Sequence, residues 1–165
     1  MLKYLFTLLP FLYSSSISSS TSSLTKVQLG NTLLRENDYS LLKNHRIGIL
    51  SNPTGVFDDT LKHIVDTLYD YQHLHTSSSS SLSPPFELVA IFSPEHGFRG
   101  EKQAETSDPP IYIDSYTKLP VISAYSLSTE NITAIINDLQ LTMIITDIQD
   151  VGVRLYTFIL SLIHI

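Results

Sequence analysis

The stretch FELVAIFSPEHGFRG, Phe86 to Gly100, changes character halfway along. Its first half, Phe86 to Phe92, is a short run rich in β-branched and aromatic residues. Its second half carries Pro94, Gly97 and Gly100 among charged side chains, the composition of a turning, solvent-facing loop. RIGILS (Arg46 to Ser51) and LTMIITD (Leu141 to Asp147) repeat the strand pattern, and Leu119 to Ala124 is a weaker copy. All are apolar on most residues, as strands are when a parallel sheet is covered on both faces.

Helical periods separate these runs. Phe57, Leu61, Ile64, Val65 and Leu68 fall on one helical face, with Asp58 or Asp59 available as a cap. Ile132, Ile135, Ile136 and Leu139 repeat the spacing behind Ser128 and Thr129, and an earlier helix over Asn31 to Lys43 is predicted to break near Asp38. Strand alternating with helix predicts an α/β domain with a mainly parallel sheet and flanking helices. One low-complexity insert, TSSSSSLSPP from Thr76 to Pro85, is predicted to be a solvated loop.

Composition narrows the chemistry. The 165 residues are 42% hydrophobic and 16% charged, which excludes a wholly disordered chain. Ten basic residues against sixteen acidic ones leave a net charge of −6, and the basic residues are scattered singly, so no nucleic-acid partner is expected. With no Cys there is no disulfide, thiolate nucleophile or thiolate metal site. Catalysis would have to use carboxylates, His, Ser or Tyr.

In an open parallel sheet, the loops leaving the strand C-termini share one edge, where ligands bind. Here they are Asn52 to Gly55, Ser93 to Glu101 and Asp147 to Tyr156. In the second, Pro94 and the glycines hold Glu95 and His96 in a defined orientation, with Arg99 nearby to tune them. The plainer reading is an exposed turn with a Glu95–Arg99 ion pair. In the third, Asp147 and Asp150 flank Gln149, and Arg154 and Tyr156 follow, a set equipped for sugar or phosphate contacts. The plainer reading has Asp150 capping a helix and pairing with Arg154 four residues on.

Other motifs carry less. His73 and His75 form a His-x-His pair at a helix end beside the Ser-rich insert, with no carboxylate fixed beside them, and no metal site is expected there. GxGxxG, GxxxxGK[ST] and GxSxG are all missing, so nucleotide-binding and serine-hydrolase readings have no motif. Asn131-Ile132-Thr133 is a valid N-glycosylation sequon, since Pro53 spoils Asn52.

Lys3 precedes an apolar run from Tyr4 to Tyr13 and a small-residue tract from Ser14 to Ser23, the order of a secretory signal peptide. Residues 1–23 are therefore expected to be a signal peptide and Ser-rich leader, and the protein to be secreted or held in a lysosome-like lumen. The run has about half the roughly 20 residues that crossing a membrane requires, so no stable span is expected. At the other end LSLIHI, Leu160 to Ile165, resembles the translation of a sequencing-library transposon end, and the chain stops inside an apolar, helix-like stretch beginning near Val153. Residues 24–159 are expected to be one subdomain of a longer protein, and 160–165 a truncated or non-native tail.

Taken together, ILSNPTG (Ile49 to Gly55), FSPEHGFRG (Phe92 to Gly100), LPVISAYS (Leu119 to Ser126) and TDIQDVGVRLYTF (Thr146 to Phe158) resemble, in order and spacing, the exo-β-N-acetylmuramidase (NamZ-like) family, formerly a domain of unknown function. The resemblance runs from about Val27 to Ile159. It implies a Rossmann-like N-terminal subdomain and a second, C-terminal subdomain missing from this chain, with the active site in the cleft between them. It also implies removal of N-acetylmuramic acid from the non-reducing end of peptidoglycan-derived glycans or muropeptides, without a metal or organic cofactor.

In that family the Glu of the PEHG motif is tied to catalysis, and here it is Glu95, read as the general acid. His96, Asp147 and Asp150 are the further catalytic candidates. Asn52, Arg99, Gln149, Arg154 and Tyr156 are the substrate-binding candidates. Ser126 and Ile122 depart from the family's Gly and Tyr, which bears on the shape of that loop. Protonation of a glycosidic oxygen is normally paired with a second carboxylate, for which Asp147 and Asp150 are available. The rival reading is a non-catalytic glycan-binding or inactive domain, since an unassembled cleft exposes apolar surface and admits water.

Overall fold

The computed structural model describes the backbone of residues 3–6, and residues 27–77, 85–103, 109–153 and 156–163. Six strands form one sheet: β1 (Lys3–Phe6), β2 (Arg46–Ser51), β3 (Glu87–Ser93), β4 (Ile111–Ile113), β5 (Pro120–Ser123) and β6 (Met143–Asp147), in the order β1-β6-β2-β3-β5-β4. Every pairing is parallel except β4 with β5. Three helices flank it, α1 (Gly30–Glu36), α2 (Ile64–Ser77) and α3 (Thr129–Asp138). The α/β class and mainly parallel sheet expected from the alternation are those observed.

Both faces of the sheet are covered. Ile47, Ile49, Ile91, Val121, Met143 and Ile145 pack with Leu34 of α1 and Ile64 and Leu68 of α2. The alternate residues Leu50, Ala90, Phe92, Ile122 and Ile144 pack with Ile132 and Ile136 of α3. Period-two alternation thus sends neighbouring strand residues into two separate cores, which is why these strands read as nearly continuous apolar runs. The close approach of Gly48 to Phe92 and Leu141 leaves no room for a larger residue: a Cβ there would lie 2.7 Å from the Phe92 ring.

Two expectations need correction, and one strand is an addition. The helix predicted to begin at Phe57 begins at Ile64, because Val56 and His63 form an antiparallel bridge and Leu61 sits at φ 54°. Phe57 is buried by this fold-back, Leu61 is left 74% exposed, and Asp59 pairs with Arg35 instead of capping a helix. The helix-like stretch near Val153 is a short 3-10 segment, Phe158–Ile163. The edge strand β4 was not anticipated: it is only three residues long, with Ile111 and Ile113 exposed.

The early helix does break near Asp38, where Asp38 and Tyr39 adopt left-handed backbone and a 3-10 turn, Ser40–Leu42, follows. Most of the leader and of the Ser-rich insert lie outside the described residues. Within the leader, Lys3–Phe6 pairs in parallel with Met143–Thr146. Among the described residues no helix is long and apolar enough to cross a membrane.

Candidate active site

The strand ends line up. Ser51 pairs with Asp147, Leu50 with Phe92, and Ser93 with Ser123, so the final residues of β6, β2, β3 and β5 form one row along the C-terminal edge. Alternation puts their side chains toward the α1–α2 face. The three polar loops expected to converge leave from this row.

The loop after β2 is held by Asn52, which is fully buried. Its Nδ2 donates to the Gln149 carbonyl at 3.0 Å, binding the first loop to the third, while its Oδ1 accepts from Thr54 N at 3.3 Å and Thr54 Oγ1 at 2.6 Å. Gly55 fits here because a Cβ would lie 2.1 Å from Ser51 Oγ. The Asn52 carbonyl accepts from His63 Nε2 at 3.0 Å, and His63 Nδ1 accepts from Val65 N at 3.2 Å, capping α2. These bonds define the neutral Nε2–H tautomer. Burial pushes the His63 imidazole below its usual value, opposed by its bond to Asn52.

The loop after β3 is turned by left-handed backbone at His96, Gly97 and Gly100, with Gly97 N donating to the Pro94 carbonyl at 3.2 Å. Lys102 N donates to the His96 carbonyl at 3.1 Å, and His96 Nδ1 donates to the Lys102 carbonyl at 3.3 Å. A carbonyl can only accept, so the neutral imidazole carries its proton on Nδ1 and presents Nε2 as an acceptor. Glu95 is half-buried, and its Oε2 accepts a hydrogen bond from the Thr157 hydroxyl. Glu95 and His96 line an open pocket together with Ser93, Gln103, Ser123 and Tyr125.

Arg99 does not join this pocket. Its guanidinium binds Asp114 through Nε at 2.9 Å and Nη2 at 3.1 Å, and Asp66 through Nη1 at 3.1 Å and Nη2 at 2.6 Å. It lies 4.5 Å above the ring of Phe98, which is itself buried edge-on against His63. Arg99 therefore anchors the loop from behind, and the surface ion pair between Arg99 and Glu95 is replaced by this double clamp.

In the loop after β6, Asp147 is half-buried and its Oδ2 accepts from Asn31 Nδ2 at 3.3 Å. Burial raises its carboxyl above the usual range, with the Asn31 bond opposing the shift. Asp147 is not among the pocket-lining residues. Two strand spacings separate β6 from β3, so its backbone stands roughly 10 Å from the end of β3.

Asp150 caps no helix. Its Oδ1 accepts from Gly152 N at 2.8 Å in a local turn, and its Oδ2 is buried with no partner among the described residues. Gln149 and Tyr156 are exposed, and Tyr156 meets Phe158 edge-on. Arg154 lies outside the described residues, so its expected pairing with Asp150 does too.

The structure thus brings Glu95 and His96 together, joins Asn52 to Gln149, and sets Arg99 and Asp147 apart from the pocket. Sequence reasoning missed Thr157, Ser123 and Tyr125, although all three lie within its motifs. It also missed His63, Asp66 and Asp114, which share no local pattern with the site. His73 and His75 donate to the carbonyls of Tyr69 and Tyr71 one turn back. Among the described residues no group of three or more His, Asp or Glu could hold a metal. Asn131 is exposed in the first turn of α3.

The comparisons with known proteins agree with this fold. The family described as "Exo-beta-N-acetylmuramidase NamZ, N-terminal" matches residues 47–165. The chain is 35% identical over 151 residues to the peptidoglycan beta-N-acetylmuramidase NamZ of Bacillus subtilis (strain 168), covering 92% of this chain and 33% of that relative. Two crystal structures of DUF1343 family proteins from Bacteroides fragilis NCTC 9343 are similar. One has a TM-score of 0.57 at 31% identity over 81% of this chain, the other 0.52 at 34% over 82%, each spanning 29% of the solved chain. The chain therefore spans about a third of the length of the relatives it matches. On a match that begins at β2 and takes in every strand-end loop, the chain belongs to the exo-β-N-acetylmuramidase NamZ family and corresponds to its N-terminal part.

Proposed function

We propose that this chain supplies the acid-bearing wall of a glycosidase that releases N-acetylmuramic acid from the non-reducing end of peptidoglycan fragments, with Glu95 as the general acid. The observation that carries the reading is the placement of Glu95, half-buried in a pocket at the sheet's C-terminal edge, on a loop fixed by turns, Phe98 and the Arg99 clamp. Glu95 donates its proton to the glycosidic oxygen as the bond to the anomeric carbon breaks. Positive charge grows on the sugar ring, and water supplies the hydroxyl that replaces the leaving group.

A second carboxylate is needed on the ring's other side. Of the two candidates we favour Asp150, since its Oδ2 has no partner among the described residues while Asp147 is bonded to α1. The remaining cleft wall belongs to the part of the family fold beyond this third, and the substrate would be bound between the two. The Lys3-to-Ser23 pattern supports action in a secreted or lysosome-like compartment.

The test is Glu95→Gln in the full-length protein, assayed by release of free N-acetylmuramic acid from defined muropeptides. Release should fall by at least about a thousandfold with the fold retained. Wild-type release from that variant would place the acid elsewhere.

A further inference from the structure

We propose that Thr157 is the positioning residue that selects which oxygen of Glu95 carries the catalytic proton. The proposal rests on the reading of Glu95 as the general acid. Thr157 and Glu95 are 62 positions apart, yet the segment after β6 reaches back to the loop after β3 and sets the Thr157 hydroxyl on Glu95 Oε2. The Thr157 carbonyl accepts from Leu160 N at 3.0 Å, opening the 3-10 segment Phe158–Ile163. Its backbone is thereby held at the start of a structured turn, from which the hydroxyl reaches Glu95.

A threonine hydroxyl has a single hydrogen. While that hydrogen is given to Oε2, this oxygen is an acceptor, and the proton of the neutral carboxylic acid resides on Oε1. Oε1 is then the oxygen from which the proton passes to the leaving group. Without the hydroxyl, the two oxygens become equivalent and the carboxyl turns about its last bond, so part of the population presents an unprotonated oxygen. This consequence is specific to the hydroxyl and is not reproduced by a packing defect.

The experiment compares Thr157→Val, Thr157→Ser and Glu95→Gln in the full-length protein on defined muropeptides. In Thr157→Val, kcat should fall about tenfold while KM stays within about twofold, because the loss falls on the chemical step. Thr157→Ser should restore kcat.

Thr157→Val with wild-type kcat, or Thr157→Ser as impaired as Thr157→Val, overturns the proposal. If Thr157→Val does not fold, Thr157→Ala against Thr157→Ser gives the same comparison. An inactive Glu95→Gln beside an unaffected Thr157→Val sinks the positioning role alone. An active Glu95→Gln sinks the reading of Glu95 beneath it.

Discussion

Arg99 Nε donates to Asp114 Oδ1 across 2.9 Å, and Asp114 is only 4% exposed, so a charge carried by the loop after β3 neutralises a carboxylate inside the domain. The same guanidinium forks onto Asp66 in the first turn of α2. Three elements are cross-linked at one cation: α2, the loop after β3 and the turn after β4. Removing that cation leaves a buried carboxylate uncompensated. Arg99→Met should destabilise the protein by about 3 kcal/mol, since breaking one side of a buried ion pair costs far more than the pair itself contributes. Chemical denaturation of wild type and variant measures this, and a midpoint within error of wild type would mean that the clamp is dispensable.

The clamp also predicts an acid limb of stability. Burial alone would raise the Asp114 carboxyl, but its bonds to Arg99 and Thr117 outweigh it and hold the group at about 2. A folded-state pKa below the unfolded one stabilises the protein above the unfolded value, near pH 4. That contribution, roughly 2 kcal/mol, is lost as the pH falls from about 4 through 2. Unfolding free energies at pH 5, 3 and 2 should therefore fall more steeply for wild type than for Asp114→Asn. Parallel slopes would show that Asp114 is not a stabilising carboxylate.

The fold was legible where local chemistry and tertiary packing agree. RIGILS is β2 residue for residue, and Ser128 caps α3 by accepting from Asn131 N, as its place before an apolar helical period suggested. The start of α2 was not legible, because Phe57 and Leu61 keep helical spacing while a bridge between Val56 and His63 takes the chain elsewhere. Of the site, Glu95 and His96 follow from a strand, a proline and two glycines in succession. The role of Arg99 does not, because its partners Asp66 and Asp114 lie 33 and 15 positions away and only the packed sheet brings them to it. Thr157 was hidden for the same reason.

Asp147 gives the opposite sign. Burial raises its carboxyl, so the folded state binds its proton more tightly than the unfolded chain, and the ionised group weighs against folding at neutral pH. Asp147→Asn keeps an oxygen that can accept from Asn31. It should match or exceed wild-type stability at pH 7, and the gain should vanish as the pH falls below the carboxyl's ordinary range. Thermal unfolding at pH 7 and pH 3 checks this. Asp150→Asn, assayed alongside for muropeptide cleavage, should lose more activity than Asp147→Asn, and the reverse order would make Asp147 the second carboxylate.

Gly97 and Gly152 separate backbone strain from crowding in the site loops. Both have left-handed backbone, at φ 78° and 68°, so alanine at either adds a conformational cost of about 1–2 kcal/mol. At Gly152 a Cβ would meet nothing within 4 Å, whereas at Gly97 it would lie 2.7 Å from the Glu101 carboxylate. That carboxylate accepts from Arg99 N at 3.0 Å and from the Tyr112 hydroxyl, so displacing it disturbs the loop two residues from Glu95. Gly152→Ala should therefore lose only the backbone term. Gly97→Ala should lose at least about 1 kcal/mol more and most of its turnover, as the loop shifts under Glu95. Denaturation midpoints and release of N-acetylmuramic acid from muropeptides, measured on both variants of the full-length protein, decide it, and equal losses at the two positions would show that the Glu101 contacts do not hold the loop.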